Sequence, residues 1–356
     1  MRVLHVDTAL SWRGGQNQVL LAARGMAARG HAVAVACRRG GVLETRLQGS
    51  GIDTFPIGVR GEASPLGILG LARAFRAFGP EVAQLHDPHA VTAGLLAARL
   101  HGSARLIATR RVDFPLRGAL SRRKYVSCRR VVAVSRAVAG VLEAGGVDGE
   151  RIRVVYEGVP DRPAAAGGAE ALAALGVPAG CRVVGNVAAL ADHKDHATLL
   201  ESAPAVLRGV PEACFVIVGE GELRPRLEAR ARELGLGQRW IFAGFRSDLD
   251  RLLPAFAIFC LSSHQEGLGT SLLDAMNFAL PIVATAAGGI PEAVEDGVTG
   301  RLVPPRDPEA LAQALASLLR DPERRAAMGE AGRRRFEARF SDERMVGETL
   351  RVFEEA

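Results

Sequence analysis

The sequence predicts an α/β protein with two doubly wound domains, each built on a parallel β-sheet. Three observations lead to this fold class. The chain has 356 residues, more than one hydrophobic core usually holds. Short runs rich in Val, Ile and Leu alternate with segments of helical periodicity. This alternation stops at residues 159–168, which are rich in Pro, Gly and Ala, and then restarts. Apolar strands with helices between them are typical of a parallel sheet covered on both faces.

The predicted elements follow the chain in order. In the first domain, residues 1–158, the strands are 2–6, 33–37, 82–85, 106–109, 131–134 and 152–156, and the clearest helices are 16–29, 66–78 and 91–100. Residues 159–168 are predicted to be a linker. In the second domain, residues 169–340, the strands are 183–187, 215–218, 240–243, 258–261, 281–284 and 300–303, with helices at 308–319 and 322–340. A last helix is predicted at 341–356. Because ligands of doubly wound sheets bind at the carboxyl ends of strands, we expect the functional residues in the loops that follow them.

The composition excludes several classes of protein. Apolar residues make up 48% of the chain and charged residues 24%, as in globular rather than disordered proteins. No run approaches about 18 apolar residues, so no membrane-spanning helix is predicted. The chain enters a predicted strand at once, which disfavours a signal peptide and favours a cytoplasmic location. The cysteines form no CxxC pair, which disfavours a zinc site or a disulfide framework; they are Cys37, Cys128, Cys181, Cys214 and Cys260.

The positive charge of the chain is concentrated in the first domain. Residues 1–160 hold 23 Arg and Lys against 11 Asp and Glu, whereas the whole chain has a net charge of +6. Between Arg105 and Arg136, ten cations stand against one acid. Such a surface attracts phosphates, phosphorylated sugars or anionic lipids. Nucleic acid is disfavoured, because aromatic residues are only 5% of the chain and no basic recognition helix is present. A solvated basic face is the alternative.

Residues 262–276 carry the clearest chemistry. A strand is predicted to end at Ser262, and a helix begins near Thr270 after a glycine-rich turn. The free N–H groups and the dipole of a helix start form a phosphate site. Glu266 is placed to accept hydrogen bonds from sugar hydroxyls, and Asp274 is one turn into the helix, within reach of a ribose. This pattern suits a sugar–diphosphate–nucleoside ligand; a capped helix with two surface acids is the structural alternative.

The stretch 263–308 resembles the signature of the family-four retaining glycosyltransferases. The residues that carry the resemblance are Glu266 and Asp274, Ala279-Leu280-Pro281-Ile282-Val283-Ala284-Thr285, Gly288-Gly289-Ile290-Pro291-Glu292 and Gly297-Val298-Thr299-Gly300. The resemblance implies the GT-B fold, in which two Rossmann-like domains face each other across a cleft. It also implies that the final helix packs back on the first domain.

The roles of the family's residues carry over to this chain as expectations. Glu266 would bind the hydroxyls of the donor sugar, and Asp274 would bind the ribose, where the family more often has Glu. The backbone amides of Leu268, Gly269 and Thr270 would bind the diphosphate. Loops after two further strands of the second domain resemble the walls that contact the nucleoside; their residues are Gly219, Glu220, Phe245 and Arg246.

Lys194 is a second candidate for binding the diphosphate. The chain has 45 Arg and Lys, yet only Lys124 and Lys194 are lysines. An ammonium group is a compact charge suited to phosphate. The segment resembles the family's strand, Arg, loop and Lys-Gly element, but Ala189 replaces the arginine and Asp195 the glycine. Either Arg110 or Arg111, reaching across the cleft, supplies the second cation, or the diphosphate is bound more weakly. A surface lysine is the alternative.

The first domain offers two glycines and a histidine after its strands. Gly14 and Gly15 precede a helix and allow close backbone approach to a ligand, but they are not part of a GxGxxG motif, so a dehydrogenase is disfavoured. Histidines stand at 86 and 89, but Pro88 argues against one regular helix carrying both, and no metal site is predicted. The resemblance places His86 near the reacting carbon of the donor, with a hydrogen-bonding role. The alternatives are that Gly14 and Gly15 only form a tight turn and that His86 is only a packed histidine at the end of a strand.

Together these features predict a metal-independent, retaining glycosyltransferase with no cofactor beyond its nucleotide-diphosphate sugar substrate. The resemblance implies a glycan or glycolipid acceptor, as in lipopolysaccharide or surface polysaccharide synthesis, and peripheral contact with the inner face of the plasma membrane. His86, Lys194 and Glu266 are the candidate catalytic residues. Two alternatives stay open: a nucleotide-sugar 2-epimerase and an inactive protein that binds sugar nucleotides.

Overall fold

A computed structural model describes residues 1–59, 61, 64–101, 104–116 and 118–356 of the chain. The chain divides into two compact units. Unit 1 comprises residues 1–160 and 341–356, and unit 2 comprises residues 161–340. The division falls between Pro160 and Asp161, inside the segment predicted to be a linker. Within the described ranges, we find no helix with the length and apolarity needed to cross a membrane.

Unit 1 is built on a seven-stranded parallel sheet with the strand order β3-β2-β1-β4-β5-β6-β7. Its strands are β1 (Arg2–Asp7), β2 (Ala32–Arg38), β3 (Asp53–Ile57), β4 (Val82–Leu85), β5 (Arg105–Arg110), β6 (Arg130–Ala133) and β7 (Ile152–Val154). Its helices are α1 (Gly14–Ala28), α2 (Val42–Leu47), α3 (Pro65–Phe78), α4 (Pro88–His101), α5 (Gly118–Val126), α6 (Arg136–Ala144) and, at the end of the chain, α15 (Asp342–Glu354).

Strand β3 is absent from the sequence prediction. It lies at the edge of the sheet, beside β2, and contains Asp53 and Pro56. Proline lacks the N–H that a central strand must donate to both neighbours, so it is tolerated at an edge. The same residues break the apolar run on which the strand prediction depends.

The last helix, α15, belongs to unit 1 although it follows unit 2 in the chain. Val346 and Phe353 are buried in the same apolar cluster as α1. Gly25 of α1 allows the close approach, since a Cβ there would lie 2.7 Å from Val346. Arg29 donates a hydrogen bond to the carbonyl of Glu343 at 2.7 Å. The core of unit 1 is therefore completed by the final residues of the chain.

Unit 2 is built on a six-stranded parallel sheet with the strand order β10-β9-β8-β11-β12-β13. Its strands are β8 (Arg182–Val187), β9 (Ala213–Val218), β10 (Trp240–Gly244), β11 (Ile258–Leu261), β12 (Ile282–Thr285) and β13 (Gly300–Val303). Its helices are α7 (Gly168–Ala174), α8 (His196–Gly209), α9 (Arg224–Glu233), α10 (Leu249–Leu252), α11 (Thr270–Asn277), α12 (Ile290–Ala293), α13 (Pro308–Arg320) and α14 (Pro322–Arg339).

The central strands β8, β9, β11 and β12 are almost wholly buried, as expected for strands covered by helices on both faces. In each sheet the first strand of the unit lies inside the sheet, and the strand order reverses beside it. The predicted fold class, two doubly wound parallel-sheet domains, is confirmed.

Candidate active site

The strand order of the second sheet reverses between β8 and β11, and two predicted site residues meet there. Lys194 lies after β8 and Glu266 lies after β11. Lys194 Nζ and Glu266 Oε2 form an ion pair, and the side chains are only 17% and 13% exposed. A crevice beside such a reversal is where doubly wound sheets bind ligands. The structure therefore brings together two charges that the sequence indicated separately.

Hydrogen bonds hold both residues of this pair in place. Ser263 Oγ donates to Glu266 Oε2 at 3.2 Å, and the N–H of Gly289 donates to the carbonyl of Glu266 at 3.0 Å. Ser262 Oγ donates to the carbonyl of Lys194 at 3.1 Å. Both serines are fully buried. The loops after β8, β11 and β12 are thus tied to one another at the carboxyl edge of the sheet.

The turn after Glu266 ends in the start of α11. Gly269 has a φ of +91°, a left-handed conformation, and a Cβ there would lie 2.9 Å from Leu272. Helix α11 begins at the next residue, Thr270, while Leu268 is buried and anchors the turn. The first N–H groups of a helix have no acceptor within it, and they carry the positive end of its dipole. This geometry suits a phosphate group, as the sequence predicted.

Asp274 is held by an arginine that the sequence analysis did not identify. Arg162 Nη2 contacts Asp274 Oδ1 as an ion pair. The main chain of Arg162 is bound by the side chain of Asn277, which donates to its carbonyl at 2.9 Å. Burial raises the pKa of Asp274 to about 6, and the charge of Arg162 opposes this increase. Arg162 stands in a segment whose composition predicted a linker, two positions after Pro160 and directly before Pro163, where only its charge distinguished it.

The two departures from the family's lysine element have different structural outcomes. Asp195 has a φ of +47°, a conformation that glycine adopts without strain and Asp tolerates. Its carboxylate caps α8 by accepting from Thr198 N at 3.2 Å and from Thr198 Oγ1 at 2.7 Å. Asp195 therefore preserves the turn that a glycine would make. Ala189 brings no charge to the loop after β8.

The predicted nucleoside walls lie at the carboxyl ends of β9, which pairs with β8, and of β10, the edge strand next to β9. Gly219 has a φ of +145°, and a Cβ there would lie 1.9 Å from the carbonyl oxygen of Ala188. Glu220 pairs with Arg224 at 2.6 Å, and Arg246 pairs with Asp248 at 2.6 Å. Phe245 is 63% exposed. The loops after four neighbouring strands, β10, β9, β8 and β11, together with helix α11 that follows the last of them, therefore carry all of the predicted donor-binding residues of unit 2.

His86 lies at the corresponding reversal of the first sheet, between β1 and β4. Its Nε2 is 2.9 Å from Nδ1 of His5, and its Nδ1 is 3.1 Å from Nη2 of Arg111. Since a guanidinium only donates, Nδ1 of His86 accepts and Nε2 carries the proton. Burial and the charge of Arg111 hold the pKa of His86 well below its usual range, with His5 adding to the effect. His86 is thus a neutral side chain with both ring nitrogens engaged by His5 and Arg111, and its hydrogen bond to the donor stays a prediction.

Gly14 and Gly15 form the first turn of α1, next to this histidine network. A Cβ on Gly15 would lie 3.5 Å from Cδ of Arg111, which Glu157 binds at 2.9 Å. As expected, no single regular helix carries both His86 and His89. Pro88 opens α4, where its missing N–H costs nothing, so His86 lies before the helix and His89 within it.

The basic segment is less uniform than its sequence suggests. Arg110 is buried and donates to the phenol oxygen of Tyr125 at 3.2 Å, which corrects the expectation that it contacts an anion. Arg105 donates to the carbonyl of Phe353, and Arg129 to that of Ala356. On α5, Arg122 and Arg123 are exposed, together with Leu120, Val126 and, before the helix, Phe114. Among the described side chains, no group of three His, Cys, Asp or Glu is arranged to hold a metal ion.

Comparisons with known proteins identify the family of the chain. Residues 12–162 match the family described as Glycosyltransferase Family 4, and residues 170–335 match Glycosyl transferases group 1. A GDP-mannose-dependent phosphatidylinositol monomannoside mannosyltransferase of Mycolicibacterium smegmatis is 37% identical over 40% of each chain. A lipopolysaccharide core biosynthesis glycosyltransferase of Rhizobium meliloti is 31% identical over 51% of this chain and 52% of its own. The chain spans about two fifths of the length of the first curated relatives it matches.

The fold also has close counterparts among solved structures. HepE of Anabaena, crystallised with UDP and glucose, superposes with a TM-score of 0.89 over the whole of both chains at 21% sequence identity. At that identity the likeness concerns the fold, which is GT-B. The two family models together cover most of the chain, which belongs to the family-four glycosyltransferases.

Proposed function

We propose that this protein transfers a sugar, with retention of anomeric configuration, from a nucleotide-diphosphate donor to a hydroxyl of a glycan or lipid-linked acceptor. The observation that carries the proposal is the meeting of Lys194 and Glu266 beside the start of α11. One compact cation, one carboxylate and a row of helix amides are the groups that a sugar diphosphate requires.

The chemical barrier is the separation of charge. As the bond from the anomeric carbon to the diphosphate breaks, negative charge grows on the leaving phosphate. Lys194 and the amides of Gly269 and Thr270 stabilise that charge because they are fixed in place before the reaction begins. Glu266 orients the sugar through its hydroxyls. The acceptor oxygen forms the new bond on the same face, and its proton passes to the departing phosphate.

The ion pair between Lys194 and Glu266 exchanges partners when the donor binds. Both side chains are largely buried, so each charge needs a counterpart in the absence of donor. With donor bound, the ammonium faces phosphate oxygens and the carboxylate faces sugar hydroxyls. We propose that these groups replace a metal ion, so that transfer continues in excess EDTA; loss of activity that Mg²⁺ restores would overturn this point.

The experiment that tests the function combines donor binding with turnover. Thermal shifts with UDP-glucose and GDP-mannose identify the nucleotide, and labelled donor then reports transfer or slow hydrolysis. We expect Lys194→Ala to reduce turnover about 100-fold or more, because one fixed charge-stabilising group is lost. Arg208→Ala, which removes an exposed cation from α8, is the matched control and should keep wild-type turnover.

The outcomes separate this function from its rivals. Donor binding with no transfer and no hydrolysis would indicate an inactive binding protein, for which the neutral Ala189 is the motivating residue. Isomerisation of the sugar would indicate a 2-epimerase. Wild-type turnover in Lys194→Ala would remove the proposed role of that lysine.

For the acceptor, we propose a lipid-linked or phosphorylated glycan, as in the synthesis of lipopolysaccharide or surface polysaccharide at the inner face of the membrane. Helix α5 supports this proposal, because Arg122 and Arg123 are exposed beside the apolar Leu120 and Val126. The two relatives described above act on a phosphatidylinositol mannoside and in lipopolysaccharide core synthesis. Cations flanked by apolar side chains are suited to an anionic lipid surface.

Vesicle sedimentation tests the membrane contact. Vesicles containing phosphatidylglycerol should bind the protein, whereas neutral phosphatidylcholine vesicles should not. High salt should release the protein from the anionic vesicles. The double variant Arg122→Glu/Arg123→Glu should lose this binding. Arg73→Glu/Arg76→Glu makes the same change of charge on α3 and should retain most of it. Equal binding to neutral and anionic vesicles would overturn the proposal.

A further inference from the structure

We propose that Arg162 is a positioning residue of the donor site: it keeps Asp274 ionised and turned so that one carboxylate oxygen serves the ribose. The proposal rests on the proposed function, since it assumes that Asp274 binds the ribose of the donor. Nothing in the signature that identifies the family includes Arg162. The argument depends on how this arginine is held, on the surroundings of Asp274 and on one unusual atom.

Arg162 is fixed to α11 through both its main chain and its side chain. Asn277 and Asp274 are three positions apart, so both project from the same face of this helix. Asn277 Nδ2 donates to the carbonyl of Arg162 at 2.9 Å, and Asn277 Oδ1 accepts from its N–H at 3.4 Å. Arg333 of α14 in turn donates to Asn277 Oδ1 at 2.8 Å. The helix that carries the ribose-binding acid therefore also determines where the guanidinium lies.

The contact with Arg162 gives the two carboxylate oxygens of Asp274 different partners. Arg162 Nη2 binds Oδ1, which leaves Oδ2 as the acceptor for a ribose hydroxyl. Asp is one methylene shorter than the Glu more usual in the family, so a single well-directed oxygen matters more here. A guanidinium that fixes one oxygen also restricts the rotation of the other.

The contact between Arg162 and Asp274 leaves the Nε–H group of Arg162 without a hydrogen bond. It is buried and finds no acceptor among the atoms that the structure describes. Unsatisfied buried donors are rare in folded proteins, because burial removes the hydrogen bond that such a donor would make to water. The side chain as a whole is 37% exposed, so burial is confined to part of it, and the contact with Asp274 is kept although Nε–H is left unpaired.

The charges around Asp274 make the carboxylate depend on Arg162. Arg162 is the cation in direct contact. Arg333 of α14 binds Asn277, three positions further along α11, and is paired with Asp161 at 2.7 Å. Lys194 lies at the other end of the site, paired with Glu266. Burial raises the pKa of Asp274 to about 6 even with Arg162 present, so removing the guanidinium would raise it further.

The test measures the affinity for UDP-glucose and for GDP-mannose between pH 5 and pH 8.5 by calorimetry. The phosphates of a nucleotide sugar are diesters, which do not titrate in this range. For the wild-type protein we expect affinity to fall below about pH 6 by roughly 10- to 100-fold in total, as one hydrogen bond to a charged group is lost. In Arg162→Gln the midpoint of that fall should move up by about one to three pH units, so that binding is already weak at pH 7.

Three controls make the result specific. Arg162→Lys restores a positive charge and should return the midpoint most of the way. Arg334→Gln makes the same substitution at an exposed position of α14 and should leave the profile unchanged. A donor that lacks both ribose hydroxyls should bind more weakly and lose the pH dependence in both the wild type and Arg162→Gln.

The outcomes distinguish this proposal from the proposed function. If the wild-type protein binds neither nucleotide sugar at any pH, both proposals are overturned. If it binds them through the ribose hydroxyls, but Arg162→Gln keeps the wild-type midpoint, Arg162 is not a positioning residue and the donor site stands without it. A purely structural arginine would give that second result, with a lower Tm but no shift in the pH profile.

Discussion

Unit 1 should lose stability in mild acid because two of its histidines are buried as neutral side chains. Burial and the charge of Arg111 lower the pKa of His5 to about 3, although the side chain of Gln84, facing the ring as an acceptor, acts against them. His86, in contact with it, has its pKa lowered well below the usual range by the same two causes. Each imidazole has a pKa near 6.5 in the unfolded chain, so each takes up a proton on unfolding.

The magnitude follows from the number of protons taken up. A histidine with a depressed pKa contributes stability that is complete above about pH 6.5 and is lost as the pH falls towards its folded value. Each proton bound only on unfolding lowers the free energy of unfolding by about 1.4 kcal/mol for every unit by which the pH falls. The two histidines together should therefore lower the unfolding free energy by about 2.7 kcal/mol per pH unit between roughly pH 5.5 and 4.5.

Asp7 has the opposite effect within the same unit. Burial and the nearby Asp87 raise its pKa to about 6, although a hydrogen bond from Gln16 lowers it. The folded state therefore holds a proton that the unfolded state releases, and stability from this group is gained as the pH falls from about 6 to 4. Its contribution offsets about 1.4 kcal/mol per pH unit of the loss in unfolding free energy that the two histidines cause. The expected net decline from these three groups is thus about 1.4 kcal/mol per pH unit.

The chain offers a clean optical assay, since Trp12 is in unit 1 and Trp240 is in unit 2. In a Trp240→Phe background, fluorescence in urea reports unit 1 alone. Adding His5→Gln, which retains a hydrogen-bonding group beside His86, should reduce the slope of stability against pH by about 1.4 kcal/mol per unit. Adding Asp7→Asn should steepen it by a similar amount. If His5→Gln leaves the slope unchanged, His5 is not buried in neutral form and the reasoning fails.

Three substitutions test the backbone of unit 2 through urea unfolding in a Trp12→Phe background. Gly219→Ala should destabilise the unit by about 3 kcal/mol, because the new Cβ meets the carbonyl of Ala188; an unchanged midpoint would contradict the packing. Ala279, with a φ of +53°, should stabilise the unit by roughly 0.5–1 kcal/mol when changed to Gly, and a loss would argue against that conformation. Asp195→Ala removes the two hydrogen bonds to Thr198 and should cost about 1–2 kcal/mol, whereas a neutral effect would mean that the cap is not formed.

The sequence predicted most of the fold because parallel strands are marked by continuous apolar runs. The predicted strands 82–85, 258–261 and 300–303 have the bounds of β4, β11 and β13. The edge strand β3 was missed because Pro56 and Asp53 interrupt the run, and an edge position tolerates both. Periodicity reports burial on two faces, so it is weakest where a strand has a free edge.

The candidate site was predictable in its parts but not in its pairings. Glu266 and Lys194 were each indicated by local pattern, yet their ion pair depends on β8 and β11 being neighbours in the sheet. Arg162 was missed because a segment rich in Pro, Gly and Ala predicts a linker. Its place against Asp274 is determined by Asn277 and α11, more than one hundred residues further along the chain.

The position of α15 has a consequence for the synthesis of the protein on the ribosome. Residues 1–160 emerge first, but the apolar surface that α15 covers, including the groove at Gly25, stays open until residues 341–356 follow. At about 5–20 residues per second, the intervening chain takes roughly 10–40 s to translate. Unit 2 therefore has time to fold as an insertion while its host is still incomplete. Chaperones that recognise exposed apolar surface would find their target on the first half of the nascent chain rather than on the second.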